Sequence, residues 1–309
     1  MKNVIKTVVF VIGFVILFYF FSYVSLSNAN IKKFGIYKAS LYEILGEKED
    51  SIDVVVIGDS LVYSSVSPME IYGKYGFTAF DCSEPAQIFS DALAYYKVAV
   101  ESQHPKVVII GANIFFRDGL KKSWDKKVKK VIQNNIPLII YHDNWKKLLF
   151  SNYGRINYLK GFKLNKNIKP SENKVYMKTH EIRANIPEKN IEYFEEMLEI
   201  AKENNIKIVL MGFPSQVSWY YKKHNAMLDL AKKYNLEYIN FNLEDLGIDW
   251  THDTKDKGEH LNYYGAKIIS DYVGNYLKNL NILEDHRNDK EYDEWKKAYE
   301  IYLRKVNEE

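Results

Sequence analysis

The sequence predicts an α/β fold, a three-layer α/β/α sandwich built around a mainly parallel β-sheet. One observation is that four short runs rich in β-branched apolar residues recur along the chain, at residues 52–57, 106–110, 206–211 and 238–241. Strands that are apolar throughout are typical of a sheet that is buried on both faces. The other observation is that stretches with helical spacing separate these runs. Such strand–helix alternation favours a parallel sheet with helices on both sides.

The first element is a nearly continuous apolar segment, residues 8–24, within an N-terminal region that we place at residues 1–29. With Leu26 it approaches the roughly 20 residues that a membrane-spanning helix needs, and it exceeds the about 7–15 apolar residues of a secretory signal. We therefore expect an uncleaved transmembrane anchor, while the small residues 27–29 leave a cleaved signal open. Lys2 and Lys6 indicate that the N-terminus stays inside the cell. The body of the protein is then expected outside the cytoplasm, membrane-anchored or secreted.

The rest of the chain is predicted to contain a connector, one large domain and a tail. The connector is a juxtamembrane stretch, residues 30–50, with some helix at 36–45, and the domain covers residues 51–283. Its predicted helices span residues 88–102, 188–204, 219–234 and 263–280. A Lys- and Asn-rich stretch at about residues 115–180 interrupts the alternation of strands and helices. We interpret it as an insertion that packs over one end of the sheet.

The tail, residues 284–309, is predicted to form an amphipathic helix. Its large apolar residues recur at helical spacing: Tyr292, Trp295, Tyr299, Tyr302 and Val306. One apolar stripe on a polar helix is normally buried against another element. We expect this helix to pack on the domain, and binding of a partner protein is the alternative.

Charge and cysteine content exclude several classes of protein. The net charge is +3, but the first 33 residues carry four lysines and no acid, so the remainder holds 39 basic and 40 acidic side chains. A nearly neutral body argues against a nucleic-acid binder, which needs a clustered basic face. The single cysteine, Cys82, excludes an intramolecular disulfide and a multi-cysteine zinc site. The pairs at 142–143 and 180–181 (His-Asp and His-Glu) lack a metal-binding spacing, so we predict no metal and no cofactor.

A serine stands directly after the first predicted strand. Gly58, Asp59 and Ser60 follow the apolar run 54–57. Ligands of open α/β sheets bind at the carboxyl ends of the strands, so Ser60 is placed for chemistry. If Ser60 begins a helix, unpaired backbone N–H groups there can stabilise an oxyanion. A helix-capping serine is the structural alternative.

A serine nucleophile needs a base, and His260 has the most suitable setting among the seven histidines. It follows the last predicted strand and precedes the last helix. Four acidic residues lie in the same loop, at positions 249, 253, 256 and 259. The sequence therefore predicts a serine–histidine pair in which an acid of this loop orients the imidazole.

These two blocks resemble the SGNH/GDSL hydrolase superfamily, whose fold is a flavodoxin-like sandwich. Gly58-Asp59-Ser60-Leu61 lies near the start of the domain and His260-Leu261-Asn262-x-x-Gly265-Ala266 near its end, with the family's order and context. The resemblance covers about residues 52–280. It implies that Ser60 is the nucleophile and supplies one oxyanion N–H, and that His260 is the general base. Asn113, in Gly111-Ala112-Asn113, matches the family's oxyanion-binding asparagine, and a loop-capping amide is the alternative.

The chain departs from the family pattern at two points. The family's second block normally offers a glycine N–H to the oxyanion, whereas residues 81–87 contain no glycine. The N–H of Ala86 or of Gln87 is the candidate replacement. The triad acid normally lies three residues before the histidine, where this chain has Lys257. Asp256 is the first candidate acid, Asp253 the alternative, and a Ser–His dyad assisted by a backbone carbonyl is a further alternative.

We expect a serine esterase that acts through an acyl-Ser60 intermediate, as an O-acetyl esterase on cell-surface or extracellular carbohydrate. One alternative is an O-acyltransferase that moves an acyl group to a surface glycan or teichoic-type polymer. Another is an inactive surface scaffold or binding protein. The expected partners are an esterified glycan or small ester, the membrane through the N-terminal helix, and a membrane acyltransferase. Candidates for stacking on a sugar ring, unless they are core residues, are Trp219, Tyr220, Tyr221 and Trp250.

Overall fold

The computed structural model describes residues 2–25, 41–118 and 157–308. The chain divides into two compact units, residues 1–37 with 119–155, and residues 38–118 with 156–309. In the first unit the structure describes one helix, α1 (Lys2–Ser25). Across the described ranges, no helix combines the length and the apolar character required to cross a membrane, so the predicted transmembrane helix finds no support.

The second unit contains a five-stranded sheet and eight α-helices among the residues described. The strands are β1 (Val54–Ile57), β2 (Ala79–Asp81), β3 (Val107–Gly111), β4 (Lys207–Gly212) and β5 (Glu237–Asn240). The helices are α2 (Leu41–Leu45), α3 (Ser60–Tyr63), α4 (Pro68–Tyr75), α5 (Phe89–Gln103), α6 (Glu188–Glu203), α7 (Tyr221–Tyr234), α8 (Tyr263–Asn279) and α9 (Asp293–Asn307). Two 3₁₀ helices, Ala112–Phe116 and Lys290–Tyr292, precede the segment 117–118 and α9, respectively.

All five strands are parallel, in the order β2-β1-β3-β4-β5. Val55 of β1 lies between Phe80 of β2 and Val108 of β3. β1 and β3 therefore occupy the centre of the sheet, and their carboxyl ends lie side by side. This arrangement confirms the predicted α/β sandwich with a parallel sheet.

The sheet is buried on both faces. On one face, Val56, Ile109 and Val209 belong to a single apolar cluster with Ile71 of α4 and with residues of α8. Because successive strand residues point to opposite faces, their sequence neighbours point to the other face, on which α5 and α6 pack together. The two layers of helices explain why these strands carry no polar alternation.

The bounds of α5, α6, α7 and α8 lie within two residues of those expected from the sequence. The short helices α3 and α4 were not predicted, and α9 begins nine residues after the start of the predicted tail. β2 was not predicted, because three residues are too few to show a period. Of the expected helix at 36–45, the structure describes α2, and residues 36–40 lie outside the described residues. The same holds for residues 119–156 of the predicted insertion. Of its described residues, 115–116 belong to the 3₁₀ helix Ala112–Phe116, and residues 157–180 contain no helix or strand. The Lys169 N–H donates to the Thr254 carbonyl at 3.0 Å, in the loop that precedes α8.

The C-terminal helix α9 packs on α4. Its buried residues are Trp295, Ala298, Tyr302 and Val306. The ring of Trp295 lies 5.6 Å from that of Tyr72 of α4, and the Tyr302 hydroxyl donates to Glu70 at 2.9 Å. In the structure the apolar stripe of this helix is therefore covered by the domain itself.

A buried ion pair joins the turn at residues 158–161 to the segment after α2 and lies against α9. The Lys160 ammonium lies 2.5 Å from Glu47, and the two side chains are only 2% and 9% exposed. The same ammonium lies 4.4 Å from the centre of the Trp295 ring. Burial raises the pKa of Glu47, although Lys160 opposes that shift. Each of these two buried charges is therefore stabilised by the opposite charge beside it.

We expect Lys160→Met to lower the free energy of unfolding by about 3–5 kcal/mol, because it leaves the Glu47 carboxylate buried without a counter-ion. Lys48→Met is the control. Lys48 forms an ion pair with Glu291 in which both side chains are exposed, and loss of an exposed pair costs about 0–1 kcal/mol. Urea denaturation of both variants measures the difference, and equal losses would contradict this interpretation of Lys160.

Candidate active site

Ser60 lies at the carboxyl end of the central strand β1, where α3 begins. The preceding residue, Asp59, is fully buried and caps this short helix, because its Oδ1 accepts from the Leu61 N–H at 3.1 Å. Gly58 is required here by space. A Cβ atom at Gly58 would lie 2.2 Å from Cγ2 of Val62, and one at Gly111, at the end of β3, would lie 2.3 Å from the same atom. The two glycines let the ends of β1 and β3 close around Val62.

The structure brings His260 to Ser60, across 200 residues of sequence. Nε2 of His260 lies 2.8 Å from Oγ of Ser60. The loop that carries the imidazole is closed by an antiparallel bridge between Thr254 and Leu261. The Thr254 hydroxyl donates to the His260 carbonyl at 2.9 Å. The histidine is therefore held by its own loop as well as by the serine.

Asp256 is the acid that faces His260. Its Oδ2 lies 2.5 Å from Nδ1 of the imidazole, and its Oδ1 accepts from the His260 backbone N–H at 2.7 Å. An ionised carboxylate only accepts hydrogen bonds, so Nδ1 carries the proton and Nε2 is free to accept from the Ser60 hydroxyl. The arrangement has the geometry of a serine nucleophile, its base and an orienting acid.

The other acids of the loop point elsewhere. Asp253 contacts His252 Nδ1 at 2.7 Å through Oδ1 and accepts from the Asp249 N–H through Oδ2. Glu259 accepts from the Ser218 hydroxyl. The described residues thus place a carboxylate, and not a backbone carbonyl, beside Nδ1 of His260, which does not favour the Ser–His dyad.

Asn113 lies in the 3₁₀ helix after β3 and is buried. Its Nδ2 donates to Oδ2 of Asp59 at 2.6 Å, and its Oδ1 accepts from the Lys223 ammonium at 2.7 Å. The amide therefore lies beside the turn that carries Ser60. One of its two N–H groups is occupied by Asp59, so the other is the one that can serve an oxyanion.

Two basic side chains complete this network. Arg117 donates through Nε and Nη2 to Oδ2 of Asp59, at 2.9 and 2.6 Å. Lys223 of α7 is half-buried, and burial lowers its pKa to about 8, a shift that Arg117 reinforces and Asp59 and Glu259 oppose. Neither residue was identified from the sequence. Arg117 follows Asn113 by four residues, but Lys223 lies 110 residues away, and no local pattern marks it.

The second block, residues 81–87, contains no glycine and reaches the turn that carries Ser60, because the Glu84 N–H donates to the Gly58 carbonyl at 3.2 Å. Ala86 is exposed and adopts a left-handed conformation with φ of +51°, which costs a non-glycine residue about 1–2 kcal/mol. The Gln87 N–H donates to the Glu84 carbonyl at 3.2 Å, so it is already occupied. Of the two candidate oxyanion donors in this block, we therefore retain the Ala86 N–H. Its backbone has the conformation that glycine adopts without strain.

The same block contains two buried ionisable groups beside β1. Burial raises the pKa of the Cys82 thiol, so this cysteine is a poor nucleophile. Burial also raises the pKa of Asp81 to about 7, although its hydrogen bonds to Ser83 oppose the shift. The Ser83 N–H donates to Oδ1 of Asp81 at 2.8 Å. Oδ2 is buried with no hydrogen-bond partner among the described residues.

Asp81 gives a testable dependence of stability on pH. Below a pH of about 3.8 the carboxyl is protonated in both states; above it the unfolded chain ionises while the folded protein keeps its proton up to about pH 7. Stability is therefore lost across this interval as pH rises. We expect Asp81→Asn to remove the loss and to raise the free energy of unfolding near neutral pH by on the order of a few kcal/mol. Denaturation at about pH 5 and at about pH 8 tests this; a difference between variant and wild type that stays constant with pH would contradict it.

The aromatic candidates for sugar contact divide into two groups. Trp219 and Trp250 are 1% and 7% exposed, so their rings belong to the core and cannot stack on a sugar. Tyr220 is 42% exposed, and its ring lies 4.9 Å from the Lys223 ammonium.

Two His-acid pairs were considered as metal ligands in the sequence. The pair 142–143 lies outside the described residues. In the pair 180–181, Nδ1 of His180 accepts from the Ile182 N–H.

Comparison with family models gives no match. Among curated proteins, the chain is 32% identical over 75 residues, 24% of its length, to a protein of Malacoplasma penetrans (strain HF-2) described as "Putative pre-16S rRNA nuclease". The chain spans about half, 53%, of the length of this relative.

Several solved structures are similar to this chain at low identity. They include a GDSL-like lipase from Bacteroides thetaiotaomicron (14% identical, 80% of this chain and 99% of that one, TM-score 0.43). The esterase EstA from Pseudoalteromonas is 14% identical over 74% of this chain and 98% of that one, with a TM-score of 0.42. A lipase/acylhydrolase from Enterococcus faecalis is 12% identical over 76% and 98%, with a TM-score of 0.39.

Proposed function

We propose that this protein is a serine ester hydrolase of the SGNH/GDSL type. One observation carries the proposal: Ser60, His260 and Asp256 form a continuous hydrogen-bonded chain at the carboxyl end of β1. A serine hydroxyl is a weak nucleophile unless a base removes its proton. The chain provides that base, and it also provides the acid that keeps the base in the required tautomer.

In the proposed acylation, Oγ of Ser60 attacks the ester carbonyl carbon while Nε2 of His260 takes the hydroxyl proton. The carbonyl oxygen becomes an oxyanion, for which the Ser60 N–H, the free Asn113 amide N–H and the Ala86 N–H are the proposed donors. When the tetrahedral intermediate collapses, the bond to the alcohol oxygen breaks, and His260 returns the proton to that oxygen. The products of this half-reaction are the free alcohol and acyl-Ser60.

In the proposed deacylation, water takes the place of the alcohol. His260 removes one proton from the water, whose oxygen attacks the acyl carbon. Collapse of the second intermediate breaks the bond to Oγ and returns the proton to Ser60. Asp256 accepts the hydrogen bond of Nδ1–H and stabilises the imidazolium that forms in each half-reaction.

For the substrate, we propose an O-acetyl ester of a carbohydrate. The exposed Tyr220 ring supports this choice, because an aromatic face can pack on a sugar ring. Acetate release from acetylated polysaccharide measures the activity. Acetyl transfer to an added glycan hydroxyl, without matching acetate release, would instead identify the acyltransferase, for which a membrane acyltransferase is the proposed acyl-supplying partner.

A fluorophosphonate probe tests the proposed function directly. It reacts with an activated serine and gives a stable adduct, so we expect mass spectrometry of the digested protein to find the adduct on Ser60. The Ser60→Ala variant is the control for labelling elsewhere. A protein that is folded but neither labelled nor active on simple acetyl esters would be the inactive scaffold, and the proposal would fail.

The location outside the cytoplasm is a separate proposal. It rests on the sequence of residues 1–33 alone, where lysines flank an apolar segment and no acid occurs. Fractionation of cells followed by protease treatment of intact spheroplasts tests it. Recovery of the whole protein in the protease-protected soluble fraction would contradict it.

A further inference from the structure

The Asn113 amide lies between two groups that impose opposite requirements. On one side Asp59, whose carboxylate only accepts hydrogen bonds, lies 2.6 Å from Nδ2. On the other side Lys223, whose ammonium only donates, lies 2.7 Å from Oδ1. The two ends of an amide are nearly identical in shape, so its orientation is set by its partners and not by packing. In the reversed orientation, oxygen would face the carboxylate and N–H groups would face the ammonium.

We propose that Lys223 is a positioning residue, whose ammonium holds the Asn113 amide with its nitrogen towards the turn that carries Ser60. This inference rests on the proposed function and adds a residue to it. Asp59 alone favours the same orientation, but it also accepts from Arg117, so its hold on the amide is shared. Lys223 supplies the second, independent constraint. The proposed oxyanion donor is then fixed before substrate binds, which is the preorganisation that oxyanion stabilisation needs.

The ammonium is itself well fixed. It donates to the Ser218 carbonyl at 2.7 Å as well as to Asn113. Three aromatic rings lie around it, at 5.4 Å for Phe116, 5.9 Å for Trp219 and 4.9 Å for Tyr220. Such rings stabilise a cation electrostatically. The lysine is thus held by groups on both sides and is not a freely moving surface side chain.

The charged groups around Lys223 make its hold on the Asn113 amide depend on pH. Asp59 and Glu259 favour its charged form, Arg117 and burial favour the neutral form, and burial is the largest effect, so its pKa falls to about 8. A neutral amine has a lone pair and can accept from the amide nitrogen. Above about pH 8 the lysine therefore no longer excludes the reversed amide, and Asp59, which is shared with Arg117, is left as the one constraint on its orientation. The fraction of molecules with the amide nitrogen towards Ser60 then falls.

The experiment compares Lys223→Met, Lys223→Arg and the neighbouring control Lys222→Met in hydrolysis of a simple acetyl ester, with uncatalysed hydrolysis subtracted. We expect Lys223→Met to lower kcat about 10-fold with KM little changed, a smaller loss than the roughly 100-fold effect of deleting an oxyanion donor. Lys223→Arg keeps the charge up to about pH 12. We expect it to retain kcat at neutral pH and to lose the decline that the wild type shows above about pH 8.

Two results would overturn the inference: an unchanged kcat for Lys223→Met, or an alkaline decline for Lys223→Arg equal to that of the wild type. Thermal melting establishes that each variant is folded. If Lys223→Met does not fold, the pH profile of Lys223→Arg decides alone. Failure of the proposed function is distinguishable from this failure, because it leaves either the wild type without activity on the acetyl ester or the Ser60→Ala variant fully active.

Discussion

Ser60→Ala is expected to reduce kcat for ester hydrolysis by on the order of 10⁶-fold, a larger loss than that expected for Asp256→Asn. The change removes one oxygen atom, which is the atom that His260 contacts at 2.8 Å. Without it no acyl-enzyme forms, and the remaining oxyanion donors can only assist direct attack by water. The measurement is initial rates on a simple acetyl ester across a range of substrate concentrations.

The matched control is Ser64→Ala, four residues further along. Its hydroxyl accepts from the Lys255 ammonium at 2.6 Å and does not face His260. We expect this variant to keep most of the activity, and both variants to melt close to the wild type if they remain folded. Full activity of a folded Ser60→Ala would rule out the acyl-serine mechanism.

Asp256→Asn is expected to lower kcat by about 10³- to 10⁴-fold with little effect on folding. The His260 backbone N–H donates to Oδ1 of Asp256, so an asparagine there would keep its oxygen at that position. Its NH₂ group would then face Nδ1 of the imidazole. A donor at this place forces the proton onto Nε2, which is the tautomer that cannot accept the proton of Ser60.

Asp253→Asn is the control for this prediction, because Asp253 contacts His252 and not His260. The ratio of kcat/KM between the two variants measures which carboxylate serves the imidazole. A larger loss in Asp253→Asn than in Asp256→Asn would show that the loop rearranges in the working enzyme and would contradict the assignment.

Local chemistry made much of the fold predictable. The strands β1 and β3 are apolar throughout, and β4 is apolar after Lys207. The glycines at the ends of β1 and β3 allow the close approach of both strand ends to Val62. The helices α6 and α8 show one apolar face each. β2 could not be found in the same way, because three residues carry no period. Its place at the edge depends on its pairing with β1.

In the candidate site, only the residues that belong to a recognisable sequence motif could be predicted. Ser60, His260 and Asn113 stand in recognisable local contexts, at the end of a strand or the start of a helix. The choice between Asp256 and Asp253 was not predictable, because it depends on how the loop folds back. Two aspartates three residues apart turn to different histidines.

By itself, the sequence determined the fold class, the nucleophile and the base that we propose, because each depends on patterns that neighbouring residues share. Only the tertiary structure decided which carboxylate meets the imidazole, what covers the C-terminal helix, and that Arg117 and Lys223 reach the Asp59–Asn113 pair. The physical reason is distance along the chain. Lys223 and Asn113 lie 110 residues apart, and contacts of that kind arise when separate strand–helix units pack on one sheet, so no local pattern of residues records them.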